Sequence, residues 1–263
     1  MRRFDVCNGD ADGLCAVVQW RLAHPAPATL ITGLKRDIEL LQQVQAAPGD
    51  EVLVCDLSMQ RNLPALRRVL QQGAQVRWFD HHIARDVPQH TALQAHLDFD
   101  ARVCSSLLVD RSLGGRFREW ALVGAYGDNL TAVADALAVQ TGLDEAVRSQ
   151  LRVLGEAINY NAYGDEPDDP LIAPHELYAL MQRHAQPLEM LCAEPIAAEL
   201  GARRSADMLQ AQAQELHEAG AHARWLRLPD TPWSRRVVGT LANALASAEP
   251  ALAHAVLRDD GRG

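Results

Sequence analysis

Four places in the sequence set acidic side chains or imidazoles just behind an apolar run. Asp10 follows Phe4–Cys7, Asp56 follows Val52–Cys55, the triplet Asp80-His81-His82 follows Val76–Phe79, and Asp128 follows Trp120–Tyr126. A carboxylate and two adjacent imidazoles are too polar to continue a buried strand, and they are suited to gripping a divalent cation. Asp10, Asp56, His81 and Asp128 together offer three hard oxygen ligands and one imidazole, a set that favours Mn²⁺, with Mg²⁺ as the other candidate, over a thiolate-rich zinc site. Such an ion can orient a phosphoryl oxygen, offset charge that develops during reaction and activate water, which points to phosphoester hydrolysis. No serine lies in a Gly-x-Ser-x-Gly context, so acyl transfer through a nucleophile elbow is disfavoured.

The elements needed to bring these residues together can be read from the pattern. Arg3–Cys7 predicts a strand, Asn8–Gly13 a tight turn and Leu14–Leu22 a helix closed by Pro25 and Pro27. Thr29–Thr32 reads as a short strand, Asp37–Gln45 as a helix, Glu51–Asp56 as a strand buried on both faces, Leu63–Gln72 as a helix and Gln75–Phe79 as a strand. This alternation predicts an α/β fold: an open parallel sheet with flanking helices and right-handed crossovers. Ligands of such sheets gather beyond the carboxyl ends of the strands, where Asp10, Asp56 and Asp80-His81-His82 fall. Asp12 reads as the cap of the helix that follows it.

Further on, Leu93–Phe99 predicts a short strand, and Cys104–Leu113 a helix whose first turn carries Ser105 and Ser106. These serines either cap the helix or present its free N–H groups to a phosphate. Residues 130 to about 220 read as entirely helical, with breaks at Gly142, 165–170, Pro187 and Pro195, and Asn159–Gly164 forms a polar-aromatic turn that either lines a base pocket, through Asn159 and Tyr160, or simply ends a helix. From Ala223 a second, smaller α/β unit begins: a strand at Arg224–Leu228, a helix at Ser234–Ala246 and a strand at Ala251–Leu257. The terminal Asp259–Gly263 suggests a hairpin turn whose return strand is absent. The expected division is 1–130, 131–222 and 223–263.

Composition narrows the partners. A net charge of −9 argues against wrapping long nucleic acid, whose affinity rests on cationic contacts to phosphate. Small anions remain compatible, because a bound cation reverses the local field. Lys35, Arg36, Arg102, Arg235 and Arg236 are the cations considered for phosphate contact. Five scattered cysteines set among apolar residues suit reduced core thiols. With no apolar stretch of membrane-spanning length and no apolar signal core, the expected location is cytoplasmic and no membrane partner is expected. A homodimer is within the readings the sequence allows.

The motifs Asn8-Gly9-Asp10-Ala11-Asp12-Gly13, Cys55-Asp56, Asp80-His81-His82 and Gly127-Asp128-Asn129, in this order, resemble those of the DHH phosphoesterases, a group that includes RecJ-like nucleases and oligoribonuclease-like enzymes. Residues 224–257 resemble the start of the associated DHHA1 domain, without its glycine-rich C-terminal motif. The resemblance implies a two-domain hydrolase with its site in the cleft, commonly with two Mn²⁺ ions. Asp10, Asp56, His81 and Asp128 would hold one ion, Asp56 would bridge to the second, and Asp80 and His82 would orient ligands or meet the phosphate. The family often places a carboxylate where Asn8 stands and a histidine where Phe4 stands, so here the second ion should bind weakly or only with substrate. The implied substrates are dinucleotides or short oligonucleotides, cleaved to mononucleotides. The alternatives are a hydrolase of cyclic dinucleotides, phosphoadenosine phosphate or polyphosphate, or a nucleotide-binding regulatory protein with impaired catalysis.

Overall fold

The computed structural model describes residues 1–259. Its first sheet contains β1 (Arg3–Cys7), β2 (Thr29–Ile31), β3 (Glu51–Cys55), β4 (Gln75–Asp80) and β5 (Leu93–Leu97), all parallel, in the order β2-β1-β3-β4-β5. From β1 the chain moves outward to β2, then returns to β3 on the other side, so the strand order reverses between β1 and β3. Cys7, Cys55 and Phe79 are level in the register, which sets Asn8, Asp56 and Asp80 side by side at the carboxyl edge.

Alternation along the strands divides the core. Phe4, Val6, Val52, Val54, Val76 and Trp78 face one side, where they meet α2 (Met59–Gln71) and a 3-10 turn at Leu40–Gln43. Cys7, Leu53, Cys55 and Phe79 face the other, under α1 (Ala11–Ala23), α3 (Ser105–Ser112) and α4 (Arg118–Gly127). Trp78 is fully buried, and its indole N–H donates to the Leu57 carbonyl at 3.2 Å, which satisfies the one polar atom this large ring carries.

Several expectations change in detail. The helix α1 starts at Ala11 rather than Leu14, because Asp10 adopts extended backbone and accepts from the Gly13 N–H at 3.1 Å, making it the cap. The stretch 37–45 holds only the 3-10 turn: the Asp37 carboxylate is spent on the Leu34 N–H at 2.8 Å, and Pro48 leaves little room to extend. α2 begins at Met59 and carries Pro64 inside it, losing one backbone hydrogen bond while Leu66, Val69 and Leu70 still bury. Cys192 is exposed, whereas the other four cysteines are buried.

Helices α5 (Thr131–Gln140), α6 (Glu145–Asn161), α7 (Pro174–Met181), α8 (Pro187–Ala193) and α9 (Pro195–Gln212) extend the face built by α4. The helical stretch ends at Gln212; His217–Glu218 forms a short strand, β6, antiparallel to β7 (Ala223–Leu228), which pairs in parallel with β8 (Ala253–Arg258). The helix α10 (Pro232–Ala248) covers one face of this second, smaller sheet through Val237 and Leu241. The expected terminal turn falls mainly on 260–263, outside the described residues. Among the described residues no helix is long and apolar enough to cross a membrane.

Two glycines set distances between layers. A side chain at Gly127 would collide with Ala11 and the Gly155 carbonyl, so glycine there lets α4 end directly against α1 and α6. A side chain at Gly239 would run into the Tyr163 ring, so glycine lets α10 lie on the turn that follows α6. Deeper in that junction, the buried Arg236 donates to Asp207 through Nη2 at 2.6 Å and through Nε to the Tyr160 hydroxyl at 2.7 Å. The Tyr160 hydroxyl in turn donates to Asp207. Asp207→Ala leaves the guanidinium buried without a counter-charge, and we expect a loss of about 3–5 kcal/mol in urea unfolding.

Candidate metal centre

The reversal in strand order places Asp10 and Asp56 at the point where ligands collect in sheets of this kind. Asp56 is held in the left-handed backbone region at φ 56°, an arrangement that costs on the order of 1–3 kcal/mol for a residue other than glycine. Its N–H donates to the Phe79 carbonyl at 3.0 Å, and its carboxylate accepts from the Ser105 hydroxyl at 3.3 Å. These contacts turn the side chain back over the sheet edge. His81 Nε2 lies 3.4 Å from Asp56 Oδ1 and 3.8 Å from Asp128 Oδ2.

Two groups of side chains bring ligand atoms within 4.8 Å of one another: Asp56 with His81 and His82, and Asp12 with His81 and Asp128. The donors are carboxylate oxygens and imidazole nitrogens, a set that fits a hard divalent cation. Asp80 is fully buried and stands behind this cluster. Its Oδ1 contacts His82 Nδ1 at 2.6 Å and accepts from the His82 N–H at 3.2 Å, while Oδ2 accepts from the Met59 N–H at 3.4 Å. Asp80 therefore fixes the orientation of His82 from behind rather than joining the ligand atoms at the front.

Asp12 is used differently from the expected cap of its own helix. Its two oxygens accept from the backbone N–H groups of Ser105 and Ser106, each at 2.7 Å, and so cap α3 on the same face of the sheet. Asp10 has already taken the cap of α1, and Asp12, two residues on, is free to reach α3. The N–H groups at the start of α3 are consequently not available to a phosphate. Ser105 and Ser106 are buried, the first bonded to Asp56 and the second, through its hydroxyl, to the Ala121 carbonyl at 3.2 Å.

Asn8 also has another task. Its Oδ1 accepts from the Asp10 N–H at 3.2 Å, and its Nδ2 donates to the Lys35 carbonyl at 3.1 Å, so both ends of the amide shape the turn. Asp10 is paired with Lys35, whose Nζ lies 2.5 Å from Asp10 Oδ2 and 3.1 Å from Asn159 Oδ1. The ammonium also sits 5.6 Å from the centre of the Tyr163 ring.

Burial and repulsion dominate the charges. Burial, then Asp12 and Asp10, push Asp128 up to about 7. Burial and the same two neighbours push Asp56 well above the carboxylate range. Burial alone would lower His81, but Asp56, Asp12 and Asp128 outweigh it and bring it up to about 10. Burial disfavours ionisation of Asp10 as well, yet Lys35 and the Gly13 N–H more than compensate and hold it below its ordinary value. Lys35 is raised by Asp10 against its own burial. Within the cluster Asp10 thus has a fixed positive partner, while Asp56, Asp128 and His81 hold protons more tightly than free groups do, which a bound cation would displace.

Beside Lys35 opens a cavity of about 570 Å³ lined by Lys35, Arg36, Tyr163, Arg235 and Arg258, between the first sheet and the second. Arg36 pairs with Asp165 at 3.1 Å, Arg235 with Asp169 at 2.8 Å and Asp230 at 2.7 Å, and Arg258 with Asp165. The structure thus brings Lys35 and Asn159 beside Asp10, and Arg36 to the adjoining cavity. Tyr160 is buried in the Asp207–Arg236 network, on the opposite side of α6, and Arg102 is exposed and pairs with its own Asp100 at 2.8 Å. Tyr163 and Arg258 escape a sequence reading.

No protein-family model matches the chain, and no curated protein matches it. Solved structures do. The crystal structure of exonuclease RecJ bound to manganese aligns with a TM-score of 0.61 at 18% identity, over 98% of this chain and 75% of that one. RecJ in complex with Mn²⁺ from Thermus thermophilus aligns with a TM-score of 0.56 at 18% identity, over 98% of this chain and 43% of that one. CDC45 from Entamoeba histolytica aligns with a TM-score of 0.58 at 8% identity, over 99% of this chain and 82% of that one. The architecture is therefore the α/β fold seen in RecJ, with a second, smaller sheet.

A pH test follows from the raised carboxylates. A group whose pKa is higher in the fold than in the unfolded chain contributes stability that is complete below its unfolded value and lost as pH rises through the folded one. For Asp128 that window runs from the ordinary 3.8 to about 7. The metal-free protein should therefore lose melting temperature as pH rises from about 4 to about 7. Asp128→Asn should flatten that slope, and added Mn²⁺ should restore stability at the upper end.

Proposed function

We propose that the chain is a divalent-metal-dependent phosphodiesterase that cleaves short linear nucleotides, dinucleotides or small oligonucleotides, to mononucleotides. The observation that carries this reading is the union of a carboxylate-imidazole cluster and an arginine-lined cavity on either side of one lysine. Asp56, His81 and Asp128 would hold Mn²⁺, with Asp12 facing the same space; bound there, the ion supplies Lewis acidity toward a phosphoryl oxygen. His82, oriented by Asp80, stands at the open side of the cluster, where it can donate to or accept from a phosphate or its leaving oxygen. Lys35 faces the same space from the other side.

The cavity supports the choice of a short substrate. Arg235 and Arg258 can each exchange a carboxylate partner for a phosphate without moving their backbones, and Tyr163 offers an apolar ring next to them. A volume of about 570 Å³ suits one nucleotide more than a polymer. The net charge of −9 works against retention of a long polyanion. A nucleotide-binding regulatory protein with impaired catalysis is the second reading, favoured by the commitment of Asn8 to its turn.

Incubation of the full chain with Mn²⁺ and a panel of 5′-phosphorylated dinucleotides should give mononucleotides, and Asp56→Ala should abolish them. Binding without turnover at saturating Mn²⁺ would select the regulatory reading. Asp80→Asn should weaken Mn²⁺ binding or activity by roughly 10–100-fold, as expected for a residue that orients a ligand. Arg235→Ala should raise KM with little change in kcat, since it would contact the ground state and the transition state alike.

A further inference from the structure

We propose that Lys35 is a permanent cation of the centre, which occupies Asp10 and limits the site to a single divalent ion. This rests on the metal reading above and concerns how many ions the site admits. Four carboxylates, Asp10, Asp12, Asp56 and Asp128, converge on the cluster, and their charges have to be met from somewhere. The two groups of side chains whose ligand atoms come together share His81, and neither contains Asp10. The part of the site that lies toward the second sheet is instead filled by the ammonium.

The lysine is fixed there at several points. Its Nζ bonds to Asp10 at 2.5 Å and Asn159 at 3.1 Å and lies over the Tyr163 ring. Its backbone N–H donates to the Ala162 carbonyl at 2.9 Å and its carbonyl accepts from Asn8 at 3.1 Å. The contacts to Asp10, Asn159 and the Tyr163 ring offset the rotamer entropy lost in holding the side chain here, which a surface lysine with one exposed partner does not recover. The Asn8 amide is neutral, and both its ends are spent on the backbone. A second divalent ion drawing on Asp10 would have to displace Lys35 from its Oδ2, and would sit against a fixed like charge.

The arrangement also assigns Lys35 a positioning role. A single ion and a fixed ammonium make an unequal pair of cations, with the ammonium on the side of the arginine-lined cavity. A phosphate reaching from the cavity to the cluster meets Lys35 first, so the substrate would be oriented with its bulk in the cavity.

Mn²⁺ alone decides the point. The full chain is titrated calorimetrically, and its metal content and electron paramagnetic resonance spectrum are recorded after desalting. The wild-type chain should bind one equivalent, with the resolved hyperfine pattern of an isolated ion. Lys35→Met should admit a second equivalent, with the broadened signal of two coupled ions, and Lys35→Arg should stay at one. Two equivalents in the wild-type chain would overturn the proposal while leaving the metal reading intact. So would a Lys35→Met variant that melts cooperatively yet still binds one equivalent with unchanged affinity. A wild-type chain that takes up no Mn²⁺ would overturn the metal reading itself, and this proposal with it.

Discussion

The structure is arranged around the crowding of like charges. Asp10, Asp12, Asp56 and Asp128 come from the start of α1, the end of β3 and the end of α4, and each is drawn to the same small volume. Isolated carboxylates in so dry a place would be intolerable. Each is compensated by a different device. Asp12 is met by two backbone N–H groups at the positive end of α3, Asp10 by an ammonium, Asp56 by an imidazole and a hydroxyl. Asp128, with His81 no nearer than 3.8 Å, is the least satisfied, and its proton affinity rises to about 7. A divalent cation answers what these partial solutions leave over.

The same crowding accounts for the shape of the fold nearby. The left-handed backbone at Asp56 is tolerated because the bond to Phe79 and the Ser105 hydroxyl overdetermine it. Asn129 is likewise left-handed, at φ 62°, just past Asp128. Among the described residues, both non-glycine positions with such backbone therefore fall at or beside cluster carboxylates. The glycine at 127 that lets α4 approach α1 adjoins the second of them.

The parallel sheet is legible from sequence because its strands are continuous apolar runs ended by polar residues, a pattern that few other structures produce. Asp10, Asp56, His81 and Asp128 stand out for the same reason. How each acid is used lies beyond such a pattern. Asp10 and Asp12 are two residues apart and equally able to cap a helix; only the position of α3, some ninety residues on in the chain, decides that Asp12 serves that helix instead. Ser105 and Ser106 look open to a phosphate in sequence because their N–H groups have no local partner, and the partner comes from a distant turn. Tyr160 lies within α6 and Tyr163 just past its end, so composition alone favours neither. The short 3-10 turn in place of a helix at 37–45 reflects a carboxylate recruited to a neighbouring N–H, a competition that periodicity does not register.

Tyr163 belongs to two neighbourhoods at once. One part of its ring is the surface on which α10 rests at Gly239, and another is the face over which Lys35 lies. The seat of the second sheet and the charge balance among the carboxylates are therefore built from one side chain. Any displacement of α10 large enough to release that ring also changes the dielectric around the ammonium, so in this molecule mechanical and electrostatic states are not separable coordinates.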